Sequence, residues 1–238
     1  AILDQAAAGA PVLRVDDGYG ALHLVWRVDG PEVIARIQAL LEDKKLVIAD
    51  GHHRYETALA FSAESPKADA QRVMMTLVNM HSPGLRILAT HRMLHSLAGF
   101  DAAALISRLR TLGRLAALPG EPELKSAMRE VAPDRVRVGV ALPGAWHLLD
   151  VERTDGMLDV NFLHEQVLGK ALGITEEDVR EQKYLHYVRG LDAALEQVRA
   201  GGCQVAFLLQ PTTVRQVADV SFGGGVMPQK STDFFPKL

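Results

Sequence analysis

Residues 46–64 read LVIADGHHRYETALAFSAE. The apolar run Leu46, Val47, Ile48 and Ala49 stops at Asp50-Gly51, and a stretch of helical composition begins at His52 or His53. Glycine lacks Cβ and takes tight-turn conformations at little steric cost, so Asp50-Gly51 marks a sharp change of chain direction. The spacing predicts a strand, a turn and a helix in immediate succession. The same succession occurs just upstream. Residues 22–28 (LHLVWRV) alternate as a strand, and Asp29-Gly30-Pro31 punctuates it. Val33, Ile34, Ile37, Leu40 and Leu41 then recur at helical spacing over 31–43, with Pro31 suited to the first turn. Strand, helix, strand, helix gives the fold class: α/β, a mixed sheet with flanking helices.

Working outward, extended stretches are predicted at 73–78 and 85–88, joined by a turn over 79–84 that holds Pro83-Gly84. Asp101 is predicted to cap a helix through Leu112, and a further helix covers 121–131. Residues 135–142 and 146–151 read as a hairpin with Pro143-Gly144 at its turn. Helices are expected at 160–172, around 175–180, at 191–200 and over 212–220, with a buried strand at 204–209. The tail SFGGGVMPQKSTDFFPKL reads as a loop. The chain divides best near residue 97, into a strand-rich lobe (1–97) and a helix-richer lobe (98–238).

Composition sets the class of protein. Of 238 residues, 48% are hydrophobic and 5% aromatic, so the core is built from aliphatic side chains. With 26 basic and 29 acidic residues the net charge is −3, which gives no global attraction to nucleic acid or to an anionic membrane. No apolar run approaches the roughly 18 residues of a membrane span. The single Cys203 has no partner for an internal disulfide, and a reducing, cytoplasmic setting is the simplest reading. The chain opens on Ala1 with no secretory pattern, which suggests a C-terminal portion of something longer.

The turn at residues 50–54 carries the strongest chemical signal. A helix that starts directly after a glycine turn exposes unsatisfied N–H groups and the positive end of its dipole. Arg54 adds a planar fork matched to phosphate or carboxylate, and His52 and His53 add donors. Asp50 and Glu56 supply carboxylates that accept a proton from a hydroxyl or hold a metal ion. The same residues also read as ordinary turn chemistry, with Asp50 as a cap and the basic residues as a solvated first turn.

IADGHHRYETAL resembles a bacterial and archaeal family catalogued as domain of unknown function 1015. VMMTLVNMHSPGLRILATHRML and the ending MPQKSTDFFPKL resemble later blocks of that family, in the same order. The DGHHR element is also similar to the phosphate-contacting turn of the ParB/sulfiredoxin-like group, which includes nucleotide triphosphatases of chromosome partition, sulfiredoxin and a free serine kinase. That second resemblance implies a ParB/sulfiredoxin-like element followed by a second α/β lobe. It also implies nucleotide phosphates held by the turn at Asp50, Gly51, His52, His53 and Arg54, and in the expected mechanism Gly51, His52 and Arg54 bind phosphate while Asp50, His53 and Glu56 form the catalytic group.

Two further blocks join the candidate phosphate site. Lys230, Ser231 and Thr232 follow a glycine run, but Pro228-Gln229 stands where a P-loop needs glycine, and no strand-to-helix context surrounds them. His91 and Arg92 form a second His-Arg pair at the end of an apolar run. His91 and His95 do not read as a zinc pair, since no Glu follows His91 in an H-E-x-x-H arrangement, and no metal ligand is assigned to the protein. His164, Glu165, Tyr184 and His186 read as surface or satisfied core groups.

The expected function is nucleotide-dependent phosphotransfer to a small hydroxylated metabolite, serine on the resemblance, with ATP or ADP and Mg2+ as cofactors. The competing expectation is a ParB-like nucleotide-binding switch or DNA-associated module without small-molecule chemistry. A DNA stripe finds no Lys/Arg cluster to support it.

Overall fold

A computed structural model of the chain describes residues 2–17 and 21–236. Contacts divide it into two compact units, Ala1–His52 and His53–Leu238. The strand just before residue 97 is paired on both edges with strands that follow it.

The first unit holds helix α1 (Ile2–Ala6), strands β1 (Leu13–Asp16) and β2 (Leu22–Val25), and helix α2 (Pro31–Leu41). β1 and β2 form an antiparallel ribbon in which Leu13 faces Val25 and Asp16 faces Leu22. Asp17 closes it, accepting from the Ala21 amide at 2.8 Å and contacting His23 Nε2 at 2.9 Å. Pro31 opens α2 as expected, its missing N–H being one the first turn leaves unbonded anyway. None of this unit's described residues is buried. The run at 46–49, expected as a strand, is not one: residues 44–49 pair with no strand among those described. Its apolar pattern is right for a strand, but a strand also needs a neighbour's N–H and C=O groups.

The second unit is built on a six-stranded sheet of order β5-β7-β6-β9-β4-β8. Its strands are β4 (Thr90–Leu94), β5 (Arg114–Leu118), β6 (Arg135–Leu142), β7 (Ala145–Glu152), β8 (Leu185–Arg189) and β9 (Val205–Leu209). Every pairing in it is antiparallel, so the sheet is not mixed in direction, although the α/β class with flanking helices stands. Helical connections here link strands that are not neighbours, which removes the need for parallel pairs.

Both faces are covered. On one, Leu105 and Leu109 of α4 (Ala102–Leu112) pack with Leu163, Val167 and Leu168 against Val138, Val140 and Phe207. On the other, Leu124 and Met128 of α5 (Glu121–Arg129) and Leu195 and Val198 of α8 (Leu191–Arg199) pack against Met93, Ala141 and Leu208. Alternate residues of β9 therefore go to opposite faces, and all five are buried. Gly139 matters on the second face, where a Cβ would stand 3.0 Å from Leu208 Cβ and 3.1 Å from Met128 Sδ.

Asp101 caps α4, accepting from the amides of Ala103 at 2.8 Å and Ala104 at 3.2 Å. Thr175 and Thr213 cap α7 (Glu176–Arg180) and α9 (Val214–Phe222) with reciprocal capping boxes. The helix expected at 160–172 is α6 (Asp159–Phe162) running on into a wide π-helical turn over Leu163–Ala171. α3 (His52–Glu64) is a 13-residue helix with no buried residue. The extended stretch at 73–78 belongs to no strand, and Met74 there is 98% exposed. The tail, by contrast, is more than a loop: β10 (Asp233–Phe235) pairs antiparallel with β3 (Arg86–Leu88), aligning Phe234 with Ile87.

Candidate functional site

Two places hold the sequence-predicted residues. At the first, Gly51 has φ 89°, in the left-handed region that favours glycine, and α3 starts at the next residue. Asp50, His52, His53, Arg54 and Glu56 are all exposed, with Gly51 half-buried. His53 Nδ1 lies 3.5 Å from Glu56 Oε2, one helical turn on. Both side chains are in solvent, so the pair does little to fix the helix. The turn thus presents two imidazoles and one guanidinium beside the first N–H groups of a long helix, a donor arrangement suited to an anion, together with the two carboxylates of Asp50 and Glu56.

The second place lies wholly within His53–Leu238, and it is where Arg92 and the loop at 230–231 meet, while His91, the preceding residue of β4, contacts Leu209 instead. The pairing of β10 with β3 carries the MPQKST segment next to β4. Arg92 donates from Nη1 to the Thr90 carbonyl, and from Nη2 to the Lys230 carbonyl at 3.2 Å. Ser231 Oγ donates to the Pro228 carbonyl at 2.6 Å, and Thr212 Oγ1 donates to the Ser231 carbonyl at 3.0 Å. Lys230 itself is held at φ 57°, a left-handed conformation that costs a side-chain-bearing residue on the order of 1 kcal/mol or more. These bonds fix the loop's backbone while the Lys230 side chain stays exposed.

Arg92 and His91 are buried, at 1% and 2% exposure. Leu209 donates its amide to His91 Nδ1 at 3.2 Å, which places the proton of the neutral ring on Nε2. Burial, and then the adjacent Arg92 charge, pull the His91 pKa down to about 4. His164 behaves the same way and for the same causes, again to about 4, and its Nε2 is buried with no partner. The Tyr187 ring lies 5.3 Å from Arg92 Cζ, and burial raises the pKa of its phenol. Burial also draws the Arg92 guanidinium down to about 10.

Thr90, Asp159, Gln210, Thr212, Ser231 and Arg92 line a cleft of about 240 Å3, mouth included. Asp159 is paired with Arg153 Nη2 at 2.6 Å, and burial, opposed by that pair, raises its carboxyl pKa. Thr232 lies alongside, half-buried, just before β10. Among the described residues no group of three or more His, Cys, Asp or Glu is placed to hold a metal ion. His186, read from sequence as isolated, bonds Gln197 Oε1 through Nε2 at 2.6 Å and lies 5.4 Å, centroid to centroid, from His95.

Sequence reasoning missed Asp159, Gln210 and Thr212, and it set His164 aside. No spacing rule links them to Arg92. Only the sheet order, which places β9 beside β4 and the 210–212 turn over the cleft, brings them together.

The family model for a protein of unknown function, DUF1015, matches residues 1–194. The chain belongs to that family. The match includes the DGHHR turn and the His91-Arg92 pair of this family member, while the Lys230 loop lies beyond it. No curated protein matches the sequence. Among solved structures, the chain is similar to a free serine kinase in complex with AMP, at 15% identity and a TM-score of 0.46, covering 87% of this chain and 81% of that one. A mutant of free serine kinase in complex with ADP gives 14% identity and a TM-score of 0.45 over the same shares. A conserved hypothetical protein from Pyrococcus furiosus gives 15% and 0.45, covering 79% of this chain and 68% of that one. No helix among the described residues is long and apolar enough to cross a membrane.

Proposed function

We propose that this chain binds a nucleotide at residues 51–54 and transfers its terminal phosphoryl group to a small hydroxylated metabolite. The observation that carries the reading is the turn itself. Gly51, at φ 89°, opens a 13-residue helix whose first residues, His52, His53 and Arg54, are exposed. The first N–H groups of α3 have no helical acceptor, and Arg54 supplies a fork that pairs with two phosphate oxygens. Serine as the acceptor comes from the resemblance of this turn to the serine-kinase group.

In this mechanism the helix start and Arg54 hold the phosphates in place, and Asp50 or Glu56 orients the acceptor hydroxyl. The hydroxyl oxygen forms a bond to the terminal phosphorus as the bond to the bridging oxygen breaks. Its proton passes to the carboxylate, and the nucleoside diphosphate leaves. Asp50 and Glu56 are hard oxygen donors that would hold Mg2+, whose charge would offset that of the phosphates. His53 serves the same turn as a donor to phosphate or a proton carrier.

The test has two stages. Calorimetric titration with ATP, ADP and CTP in the presence of Mg2+ reads nucleotide binding, and Arg54→Ala reads its site. Phosphorus NMR of a mixture with ATP and L-serine reads transfer. Binding lost in Arg54→Ala, with a new phosphomonoester signal, supports the reading. CTP binding without transfer to any hydroxylated acceptor would favour the ParB-like switch instead.

A further inference from the structure

β1 and β2 make a two-stranded ribbon that joins no other sheet among the described residues. Its register puts Leu13, Val15 and Val25 on one face and Leu22 and Leu24 on the other, and all five are exposed. A two-stranded ribbon is marginal in water, and further strands or a packed helix are what hold one. An edge without a neighbour is also a template for pairing, because its N–H and C=O groups are open.

The hydrogen-bond pattern identifies which groups the free edge of β1 offers. Asp17 donates its amide to the Ala21 carbonyl at 3.0 Å, and the register then pairs Val15 with His23 and Leu13 with Val25. Along an antiparallel strand, residues bonded to the neighbour alternate with residues that are not. Residues 13, 15 and 17 therefore turn their backbone groups toward β2, and Arg14 and Asp16 turn theirs outward. These two outward residues carry opposite charges, one on each side of Val15. Both are exposed, and neither makes an ion pair among the described residues.

A strand that reads Arg-Val-Asp complements itself when reversed. Laid antiparallel to a second β1 about a two-fold axis through Val15, Arg14 faces Asp16 of the second copy, and Asp16 faces its Arg14. The backbone agrees with the charges. The same register gives bonded pairs at residues 14 and 16, whose groups are open, and a close non-bonded pair at Val15. Centring the axis on Arg14 or on Asp16 instead sets like charges directly opposite each other, which is unfavourable. The other edge, Leu22-His23-Leu24 of β2, has no opposite charges to choose a register.

We propose that the free edge of β1 pairs with β1 of a second copy of this chain, in an isologous antiparallel register centred on Val15. The result is a four-stranded sheet of order β2-β1-β1-β2, one face of which gathers Leu13, Val15 and Val25 from both copies. Nothing in this interface depends on nucleotide binding at residues 51–54.

Sedimentation equilibrium of the whole chain over a range of concentrations tests it. The mass should rise with concentration to twice the 25.9 kDa of one chain. Arg14→Asp and Asp16→Arg each set two like-charged pairs across the axis, and each should weaken the dimer by about 10-fold or more. The double variant Arg14→Asp/Asp16→Arg restores opposite charges at both places and should recover the dimer. That recovery separates a lost interface from a lost fold. Val15→Cys reads the axis directly, because Cα atoms of a non-bonded antiparallel pair stand about 4.5 Å apart, within reach of a disulfide. Mild oxidation should link two Val15→Cys chains and leave Arg14→Cys chains single, since residue 14 faces residue 16. Cys203 does not compete, being buried with its thiol pKa pushed up to about 11. A single 25.9 kDa species at every concentration would overturn the proposal. So would a dimer indifferent to both charge reversals, a charge swap that fails to restore it, or Val15→Cys chains that stay unlinked.

Discussion

Lowering the pH from 7 to 5 should destabilise the second unit steeply, and His91 and His164 are the reason. Each has its pKa drawn from 6.5 to about 4 by burial first and by Arg92 second. A histidine with a depressed folded-state pKa takes up its proton more readily when unfolded. Stability is therefore full above pH 6.5 and is lost as pH falls through the window from 6.5 to 4. Between pH 7 and pH 5 the loss is about 2 kcal/mol for each ring, and about 4 kcal/mol for both is an upper figure, since the same Arg92 acts on each. Asp159 runs in the opposite direction, because burial raises its carboxyl pKa and protonation then relieves that cost. Urea denaturation followed by circular dichroism is the assay. With a slope of about 2 kcal/mol per molar, the midpoint should drop by up to about 2 M between pH 7 and pH 5. His164→Asn should remove close to half of that drop. A midpoint that stays put over this interval, or one that falls equally when both histidines are replaced by Asn, would refute the reasoning.

Other predictions follow from single contacts. Asp101→Ala removes the oxygen that accepts from two first-turn amides of α4, and should cost about 1 kcal/mol, read as a fall in the urea midpoint at constant slope. Gly113→Ala places a methyl 2.6 Å from the Asp150 carbonyl oxygen and 2.8 Å from Val151 Cγ2, where β5 begins beside β7. It should destabilise by about 1–3 kcal/mol, and an unchanged thermal midpoint would contradict the close approach. Phe207→Ala empties a wholly buried site on β9 and should cost about 3–5 kcal/mol in the same assay.

The parts of the fold legible in sequence are those whose signals are local. The β6–β7 hairpin shows in its alternation and in Pro143-Gly144, and β9 shows in an unbroken apolar run. α4 shows in Asp101, whose carboxylate does what its position suggested. What failed required knowledge of a partner. The runs at 46–49 and 73–78 carry strand-like side chains, but no described strand lies alongside them. β10 was hidden in a tail rich in Gly and Pro because its pairing with β3 joins residues nearly at opposite ends of the second unit.

The candidate site divides the same way. The glycine turn before α3 was readable because Asp50-Gly51, the helix start and Arg54 are consecutive in the chain. His91, Arg92 and residues 230–232 are singled out by residue type, while the contact of Arg92 with the 230–231 loop depends on β10 and on the sheet order. Burial decided their character. Arg92, taken from sequence as a phosphate contact, is a nearly inaccessible cation, and His164, set aside as ordinary, is one of its unpartnered neighbours.

The central claim is that the turn at residues 51–54 holds nucleotide phosphate, and the most direct measurement is calorimetric titration of the purified chain with ATP and Mg2+, beside Arg54→Ala. The account predicts saturable binding by the unaltered chain and a loss of at least about 10-fold in the variant, the effect of removing one charged donor pair. Equal affinity in the two proteins, or no binding by either, would contradict it and leave Gly51 and Arg54 as the ordinary start of a helix.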